Sequence, residues 1–77
     1  MLQVILFSST EVIFEGTSNS VILPGEQGTF EIAPLHKPLL SRLLPGDAVI
    51  DGKYFAIRSG VVKVKANEVT IMVDPEA

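Results

Sequence analysis

Short segments of alternating apolar and polar residues, separated by turn-forming residues about every six to ten positions, most constrain how this 77-residue chain can fold. Alternation with a period of two is typical of β-strands that bury one face. On this pattern Val62 and Val64 are expected to face the core, as are Val69, Ile71 and Val73. The sequence predicts about eight to ten short strands, which is typical of an antiparallel sandwich or barrel.

Proline, glycine and asparagine mark the positions where the strands are expected to end. Pro24-Gly25 and Pro45-Gly46 are typical of type II turns, in which proline sets φ and glycine takes the positive φ that follows. Asp51-Gly52 is the strongest hairpin signal, because both central residues of a type I′ turn have positive φ. Ser59-Gly60 predicts another turn, and Asn67 tolerates the left-handed conformation at the last one.

Two segments predict less regular structure. Val12 and Phe14 are expected on one face of a strand with Ile13 on the other, and Gly16 predicts a bulge or corner. Within residues 38–45, leucines recur at helical spacing, but the segment allows less than about two turns, and an isolated helix of that length is unstable. We expect a short extended segment or a single helical turn there.

Composition excludes several classes of protein. No cysteine is present, which excludes disulfides, thiol catalysis and zinc-thiolate sites. The formal net charge of −3 argues against binding to nucleic acids or to anionic membranes. No apolar run approaches the roughly 18 to 20 residues of a membrane span. A mean hydropathy of +0.40 is high for so short a chain and indicates that apolar surface contacts another protein.

No group of residues has the pattern of a catalytic, cofactor or metal site. His36 is the only histidine and has no Ser, Cys or Asp motif near it, so a surface or interface role is favoured. Residues 25–28 have the glycine spacing of a nucleic-acid clamp, but no base lies between the glycines and no helix is expected after them. We therefore expect a protein that is not an enzyme and has no cofactor.

Several motifs in sequence order resemble the N-terminal domain of the epsilon subunit of F-type ATP synthases, which is called delta in mitochondria. They are FEG at residues 14–16, LPGEQG at 23–28, PLHKPLL at 34–40, PG at 45–46, SG at 59–60, the strand at 61–65 and ANEVTIMVD at 66–74. These motifs cover almost the whole chain. Their order and spacing carry the resemblance, because no single motif is diagnostic.

The resemblance implies a flattened β-sandwich of about ten strands and a mechanical role. Members of the family lie on the central stalk, bound to the gamma subunit and to the c-ring, and turn with both. They couple proton passage to ATP synthesis without catalysing a reaction. The implied place is the surface of the energy-coupling membrane, on the cytoplasmic side in a bacterium, without insertion into it.

Two surfaces follow from the resemblance, residue by residue. The glycine loop of the family faces the c-ring, which implies c-ring contacts for Gly25, Glu26, Gln27, Gly28 and Thr29. The histidine motif lies beside the gamma interface, which implies gamma contacts for His36, Pro38, Leu39 and Leu40. Family members often carry acids in place of Gln27 and Thr29, and a glycine in place of Leu35. We therefore expect weaker attraction to basic c-ring loops, and compensating hydrophobic contact beside the histidine.

Family members commonly continue into a two-helix C-terminal domain, which binds ATP in some bacteria and restrains hydrolysis. This chain stops at Ala77, so we expect one β-sandwich domain over residues 1–77 that neither binds ATP nor inhibits. The alternative is a small β-sandwich module that binds a ligand or a peptide on a platform of aromatic side chains. Four Phe, one Tyr and no Trp are few residues for such a platform.

Overall fold

A computed structural model describes residues 1–75, which form eight β-strands joined by short connections. The strands are β1 (Leu2–Phe7), β2 (Val12–Ser18), β3 (Val21–Gly25), β4 (Gly28–Ile32), β5 (Leu39–Leu43), β6 (Gly46–Ile50), β7 (Lys53–Lys65) and β8 (Glu68–Pro75). Within residues 1–75 we find no helical segment that could span a lipid bilayer. The predicted all-β class is confirmed, and the eight strands of the described residues agree with the eight to ten predicted from the residue pattern but are fewer than the ten that the resemblance implies.

Pairing between the strands produces two layers. Hydrogen bonds join the strands in the order β2-β1-β8-β7-β5-β3-β4, and β6 pairs with both β3 and β7. One layer contains β2, β1, β8, the second half of β7 and β5, while the other contains the first half of β7, β6, β3 and β4. The resulting body measures 32 × 26 × 20 Å, which confirms a flattened β-sandwich.

One strand pair departs from the predicted antiparallel arrangement. β1 runs parallel to β8, with Gln3 opposite Glu68 and Phe7 opposite Met72, whereas the other strand pairs in the described residues are antiparallel. Parallel neighbours need a long connection. β1 and β8 are the first and last strands, so the rest of the chain provides it. Alternation of residues carries no information on strand direction, which is why the sequence did not indicate this pair.

The turn predicted at Ser59-Gly60 is wrong, because β7 continues through both residues from one layer into the other. The first half of β7 pairs with β6 and the second half with β5, and the register against β8 shifts between Ile57 and Ser59. A Cβ on Gly60 would lie 2.7 Å from the carbonyl oxygen of Met72. Glycine is therefore needed for the close approach of two backbones rather than for a turn.

The core consists of alternate residues from both layers. Its buried hydrophobic side chains are Leu2, Val4, Leu6, Val21, Leu23, Ile32, Leu43, Ala48, Ile50, Ile57, Val62, Val64, Val69, Ile71 and Val73. The inward positions predicted in β7 and β8 are all among them. Burial of these side chains is the main favourable contribution to folding, at about 25 cal/mol per Å² of apolar surface.

The predicted turns at Asp51-Gly52 and Asn67 are confirmed. Asp51 has a φ of 52° and Gly52 a φ of 76°, as a type I′ turn requires. Asn67 has a φ of 64° and follows Ala66, whose φ is 49°. At these positions the residue type reports the backbone conformation directly, so a local signal was sufficient.

The turn predicted at Pro24-Gly25 is wrong, because both residues belong to β3. The chain turns two residues later, at Glu26 and Gln27, and Gly25 pairs with Gly28 across the hairpin. A Cβ on Gly25 would lie 2.7 Å from the ring of Phe30. Glycine is thus required here by packing, whereas the Pro-Gly pattern had been interpreted as a sign of positive φ.

The irregularity predicted at Gly16 lies three residues earlier. β2 continues through Gly16, while the register between β1 and β2 passes directly from Phe14 to Val12 and leaves Ile13 as a bulge. Ile13 and Phe14 both pack against the core, which successive residues of a regular strand do not. The prediction that Val12 and Phe14 share a face is therefore wrong, because the bulge reverses the alternation.

Residues 38–45 contain a strand, which is the extended alternative expected from the sequence. β5 pairs with β7 along its whole length. Hydrogen bonds to a neighbouring strand outweigh the helix preference of leucine in a segment this short. The type II turn predicted at Pro45-Gly46 is wrong, since the chain only bends at Pro45 and Gly46 already belongs to β6.

Candidate partner-binding surfaces

The hairpin tip, residues 25–29, connects β3 to β4. Gly25 is buried, while residues 26–29 are exposed. Gly28 has a φ of 110°, and a Cβ there would meet no atom within 4 Å, so this glycine is required by its backbone conformation. Glu26 is the only charged residue of the hairpin tip. The tip is therefore a polar protrusion whose shape depends on two glycines for two different reasons.

The proline segment, residues 33–40, connects β4 to β5 and begins with a tight turn. The N–H of His36 donates a hydrogen bond of 3.1 Å to the carbonyl oxygen of Ala33. Leu35, the third residue of the turn, has a φ of 68°. Pro34 occupies the second position, where a type II turn favours proline. Glycine is the usual third residue of such a turn, so a leucine there is unusual.

Asn67, which is distant in the sequence, holds this turn by a hydrogen bond. The N–H of Leu35 donates to Oδ1 of Asn67 at 2.7 Å. The carbonyl oxygen of Asn67 accepts a 2.8 Å hydrogen bond from the N–H of Gln3. Asn67 therefore connects the proline segment, the β7–β8 turn and the start of β1. The sequence identified Asn67 as a turn residue, but no local signal indicates its contact with Leu35.

His36 is half-buried and is positioned by its own backbone. Its Nδ1 lies 2.7 Å from the carbonyl oxygen of Lys37. Because a carbonyl oxygen only accepts, Nδ1 donates this hydrogen bond. Nε2 takes no part in this contact. The ring is thus held as a polar group at the surface of the proline segment.

Strand β5 directs Leu39 and Leu40 to opposite faces. Leu39 packs against the core, whereas Leu40 is 72% exposed. A groove beside these residues is also lined by Pro38, Lys63 and Lys65. The aliphatic parts of lysine side chains add apolar surface while their ammonium groups stay in water. Leu40 is therefore the most exposed apolar side chain of this strand.

The two sets of residues for which contacts were predicted lie next to each other. Gly25 of the hairpin tip pairs with Leu43 of β5. A second groove, lined by the hairpin tip, also includes Leu39 and Ser41. The polar tip and the apolar proline segment are thus adjacent surfaces of one domain, and one large partner or two neighbouring partners can contact both.

A third surface was missed by the sequence analysis. It lies on the outward side of the layer formed by β2, β1, β8, β7 and β5. Across these strands the register aligns one row of residues, Val12, Phe7, Met72, Val61 and Arg42. The next row contains Glu15, Ile5, Thr70, Lys63 and Leu40. We call these two rows the outer face.

The outer face exposes more apolar side chain than a solvated sheet requires. Val12, Val61 and Met72 are 54%, 45% and 53% exposed, and they lie beside the half-buried Phe7. Leu40 belongs to the same face, so it joins the outer face to the proline segment. The sequence did contain an indication of this surface, because these apolar residues occupy positions where the alternation predicts polar ones.

The described residues contain neither a cluster of metal-ligating side chains nor an open platform of aromatic rings. Residues 1–75 contain no cluster of three or more His, Asp or Glu that could hold a metal ion. The single ion pair found in that range joins the exposed Arg58 and Asp74 at 4.0 Å. Phe14 and Phe55 pack edge to face, with ring centroids 5.9 Å apart, against the core. These rings do not form an open aromatic platform.

Comparison with known proteins identifies close relatives. The family model described as ATP synthase, Delta/Epsilon chain, beta-sandwich domain matches residues 1–75. ATP synthase epsilon chains of Xanthomonas oryzae pv. oryzae (strain PXO99A) and Xanthomonas campestris pv. campestris (strain B100) are 40% and 39% identical over 74 residues. Each match covers 90% of this chain and 53% of the relative. The chain therefore spans about half the length of the curated relatives it matches.

Two solved structures share the fold. A chain in the cryo-EM structure of the Tetrahymena thermophila mitochondrial ATP synthase central stalk and c-ring matches with a TM-score of 0.79 and 21% identity, covering 95% of this chain and 63% of that one. A chain in the cryo-EM structure of the Euglena gracilis mitochondrial ATP synthase, OSCP/F1/c-ring, matches with a TM-score of 0.84 and 19% identity, covering 94% and 49%. The family match and the epsilon-chain relatives agree with the motifs, and this chain belongs to the delta/epsilon family of ATP synthase subunits, whose β-sandwich domain it contains.

Proposed function

We propose that this chain is a non-catalytic subunit of the central stalk of an F-type ATP synthase. In this role it binds the gamma subunit and the c-ring, rotates with both, and couples proton translocation to ATP synthesis. It lies at the surface of the energy-coupling membrane, on the cytoplasmic side in a bacterium. A mechanical role fits a small two-layered sheet, because strands paired on both sides resist bending better than loops do.

The observation that carries this proposal is the exposed apolar outer face with Leu40 at its edge. A domain of this size has a modest core. An apolar face left in water adds nothing to its stability and promotes aggregation. A permanent partner removes both problems, because burial of that face contributes to the stability of the complex. The gamma subunit is the partner we assign to the outer face and to the proline segment.

Contact with the gamma subunit is proposed for His36, Pro38, Leu39 and Leu40. Pro38 and the hydrogen-bonded turn before it restrict the segment before binding, so little conformational entropy is lost on docking. Leu40 supplies the exposed apolar side chain, and Leu39 supports it from the core side and lines the adjoining groove. Residues that combine rigidity with apolar exposure are typical of the centre of an interface.

Contact with the c-ring is proposed for Gly25, Glu26, Gln27, Gly28 and Thr29. The hairpin tip is narrow and polar, which suits insertion between the polar loops of a ring. Glu26 is exposed and is the only charge in the tip, so electrostatic attraction to basic loops is limited to one carboxylate. We therefore assign most of the recognition at this surface to shape and backbone hydrogen bonds.

The proposal is tested by measuring the affinity of the purified chain for a matching gamma subunit and, separately, for a matching c-ring in detergent. Leu40→Asp is expected to weaken gamma binding by about 2 to 4 kcal/mol, because a charge would be buried at an apolar contact. Glu26→Lys is expected to weaken c-ring binding by up to about 1 kcal/mol. Each variant should leave the other partner's affinity unchanged.

Tyr54→Asp provides a matched control for Leu40→Asp. Tyr54 is also 72% exposed and also lies on a strand, but it belongs to the layer opposite the outer face. The same substitution there is expected to leave the affinity for gamma unchanged. Equal losses for both variants, or no loss for Leu40→Asp, would contradict the assignment of the gamma surface.

The alternative function, a module that binds a ligand or a peptide, is not favoured by the geometry. It requires several exposed aromatic rings on one concave surface. Phe14, Phe30 and Phe55 pack against the core, and Tyr54 is exposed on the opposite layer from Phe7. Binding of short peptides or oligosaccharides by the wild-type chain would support this alternative.

A further inference from the structure

The outer face carries opposite charges at its two sides. Its carboxylate, Glu15, lies on the edge strand β2. Its cations, Lys63 on β7 and Arg42 on β5, lie at the other side of the layer. Within residues 1–75 none of these three side chains takes part in an ion pair. In the row next to the outer face, Glu68 lies opposite Lys65 in the register, so those two charges balance each other.

Apolar side chains occupy the centre of the outer face, between its acidic and basic sides. Phe7 on β1, Met72 on β8 and Val61 on β7 are neighbours in one row. Met72 and Val61 are exposed, and Phe7 is half-buried, as is Ile5 in the next row. An apolar centre between an acidic and a basic side is complementary to a reversed copy of itself.

Twofold symmetry determines how two such faces can meet. β8 is the third of the five strands in this layer. A twofold axis that runs along β8, between two facing sheets, places β2 over the partner's β5 and β1 over the partner's β7. Glu15 then lies over the side of the partner that carries the cations. An axis across the strands would instead place each charge over its own copy, so electrostatic repulsion disfavours it.

The axis along β8 also brings the two apolar centres together. Phe7 lies over the partner's Val61, and Met72 lies on the axis against the partner's Met72. These side chains become buried between two sheets that face each other, which is the arrangement of the layers within a β-sandwich. The same symmetry therefore satisfies the charges and the apolar residues at once.

Like charges meet near this axis only at the two ends of β8. Glu68 and Asp74 of each copy lie there, close to their own copies in the partner. Each has a cation beside it in its own chain, because Lys65 lies opposite Glu68 and Arg58 lies 4.0 Å from Asp74. The repulsion is thus reduced by neighbouring cations and belongs to the exposed rim of the contact.

The size of the outer face indicates a weak contact. Five strands at a spacing of about 4.8 Å, each about 20 Å long, form a face of about 400 Å² per copy, or about 800 Å² in total. Stable complexes generally bury more than about 1,000 Å². We therefore expect a dissociation constant of about 1 μM or weaker, which lets the two copies separate when another partner is present.

We propose that the outer face is a self-complementary surface through which two copies of this chain form a reversible twofold dimer. The dimer itself does not depend on the proposed function. One consequence rests on that function: because the gamma subunit is assigned to the same face, a copy bound to gamma cannot dimerise. The dimer then covers the apolar face of the free chain, and assembly with gamma removes the dimer by mass action.

The first test is cross-linking of the full 77-residue chain, which contains no cysteine, so one introduced thiol is specific. Met72→Cys places two thiols on the axis, where facing sheets lie about 10 Å apart and a short bis-maleimide reagent joins them. Tyr54→Cys is the control, because Tyr54 is 72% exposed on the opposite layer. We expect a several-fold higher yield of cross-linked dimer from Met72→Cys than from Tyr54→Cys.

The second test is a charge swap, with the dissociation constant measured by sedimentation equilibrium. Glu15→Lys and Lys63→Glu each create like charges at two symmetric positions. Each is expected to weaken the dimer by about tenfold at low salt. The double variant restores opposite charges across the contact and should recover most of that loss, because the two positions are coupled only in the dimer.

Several results would overturn the dimer, and all are obtained without gamma. They are a chain that stays monomeric at millimolar concentration, equal cross-linking yields at the two cysteines, and no recovery in the double variant. The proposed function is tested separately, by adding the matching gamma subunit to Met72→Cys before cross-linking. Gamma should lower the yield of dimer. An unchanged yield with gamma bound would contradict the shared surface and leave the dimer in place.

Discussion

The hairpin tip and the proline segment are neighbouring surfaces that are built in opposite ways. The hairpin tip is polar and obtains its shape from glycines, one without room for a side chain and one with a φ of 110°. The proline segment is apolar and stiff, and it places a leucine where a glycine is usual. A surface that relies on glycine presents backbone, whereas a surface that relies on proline presents side chains. The first kind of surface is suited to recognition by shape and the second to recognition by anchoring side chains.

The largest expected effect comes from filling the space at the base of the hairpin tip. Gly25→Ala would place a methyl group 2.7 Å from the ring of Phe30, which packs against the core. We expect the free energy of unfolding to fall by about 2 to 3 kcal/mol, as is typical of overpacking. Chemical denaturation measures this loss. A second variant, Gly25→Ala with Phe30→Leu, should recover part of it, and failure to recover would contradict a steric cause.

The next effect separates conformation from packing within the same hairpin tip. Gly28→Ala meets no atom within 4 Å, so its expected loss of about 1 to 2 kcal/mol comes only from the φ of 110°. Gly52→Ala, in another hairpin with open space and a φ of 76°, is the matched control for stability. Both variants should lower the unfolding free energy by similar amounts, and only Gly28→Ala should change c-ring binding. A gain in stability from Gly28→Ala would show that the backbone relaxes at this position.

The glycines of this chain also show where sequence patterns predict turns correctly and where they do not. Glycine at Gly52, like Asn67, occupies a positive φ, and the sequence located both turns correctly. Gly25 and Gly60 are glycines because another group approaches too closely for a side chain. The same residue type reports two different constraints, and a local pattern does not separate them. Both wrong turn predictions at these residues arise from that ambiguity.

The candidate surfaces were predicted only in part, for a related reason. The family motifs indicate residues 25–29 together with His36, Pro38, Leu39 and Leu40, because each set lies within one short segment of the chain. The outer face was missed because it is assembled from strands at both ends of the chain, through the parallel pairing of β1 with β8. The contact between Leu35 and Asn67 was missed because it spans 32 positions. Local alternation predicts which residues are buried, but it does not predict which strands become neighbours.

The third prediction concerns the support of the proline segment. Asn67→Gly keeps a residue that accepts a φ of 64° and removes the carboxamide group whose oxygen accepts the N–H of Leu35. The expected loss is about 1 kcal/mol in the free energy of unfolding, which is typical of one hydrogen bond. Gamma binding should weaken as well, because the turn that presents Leu35 becomes mobile.

Asn67→Asp is the companion variant, since it retains an oxygen acceptor at the same place. Its gamma affinity should be closer to that of the wild type than the affinity of Asn67→Gly. Hydrogen exchange of the Leu35 amide reports the hydrogen bond directly and should accelerate in Asn67→Gly alone. Equal exchange rates in the two variants would mean that the hydrogen bond does not hold the turn.

The smallest expected effect addresses the charge of the hairpin tip. Gln27→Glu adds a second carboxylate next to Glu26, at an exposed position of the hairpin tip. If the tip faces basic loops, affinity for the c-ring should rise by about 0.2 to 1 kcal/mol, the range of exposed ion pairs, and the gain should disappear at about 1 M salt. Affinity for gamma should not change, because the proline segment is unaltered. A gain in c-ring affinity that persists at high salt would point to a new hydrogen bond rather than to charge. A decrease would mean that the surface facing the hairpin tip is not basic. The hairpin tip and the proline segment would then bind their partners in more similar ways than their different structures indicate.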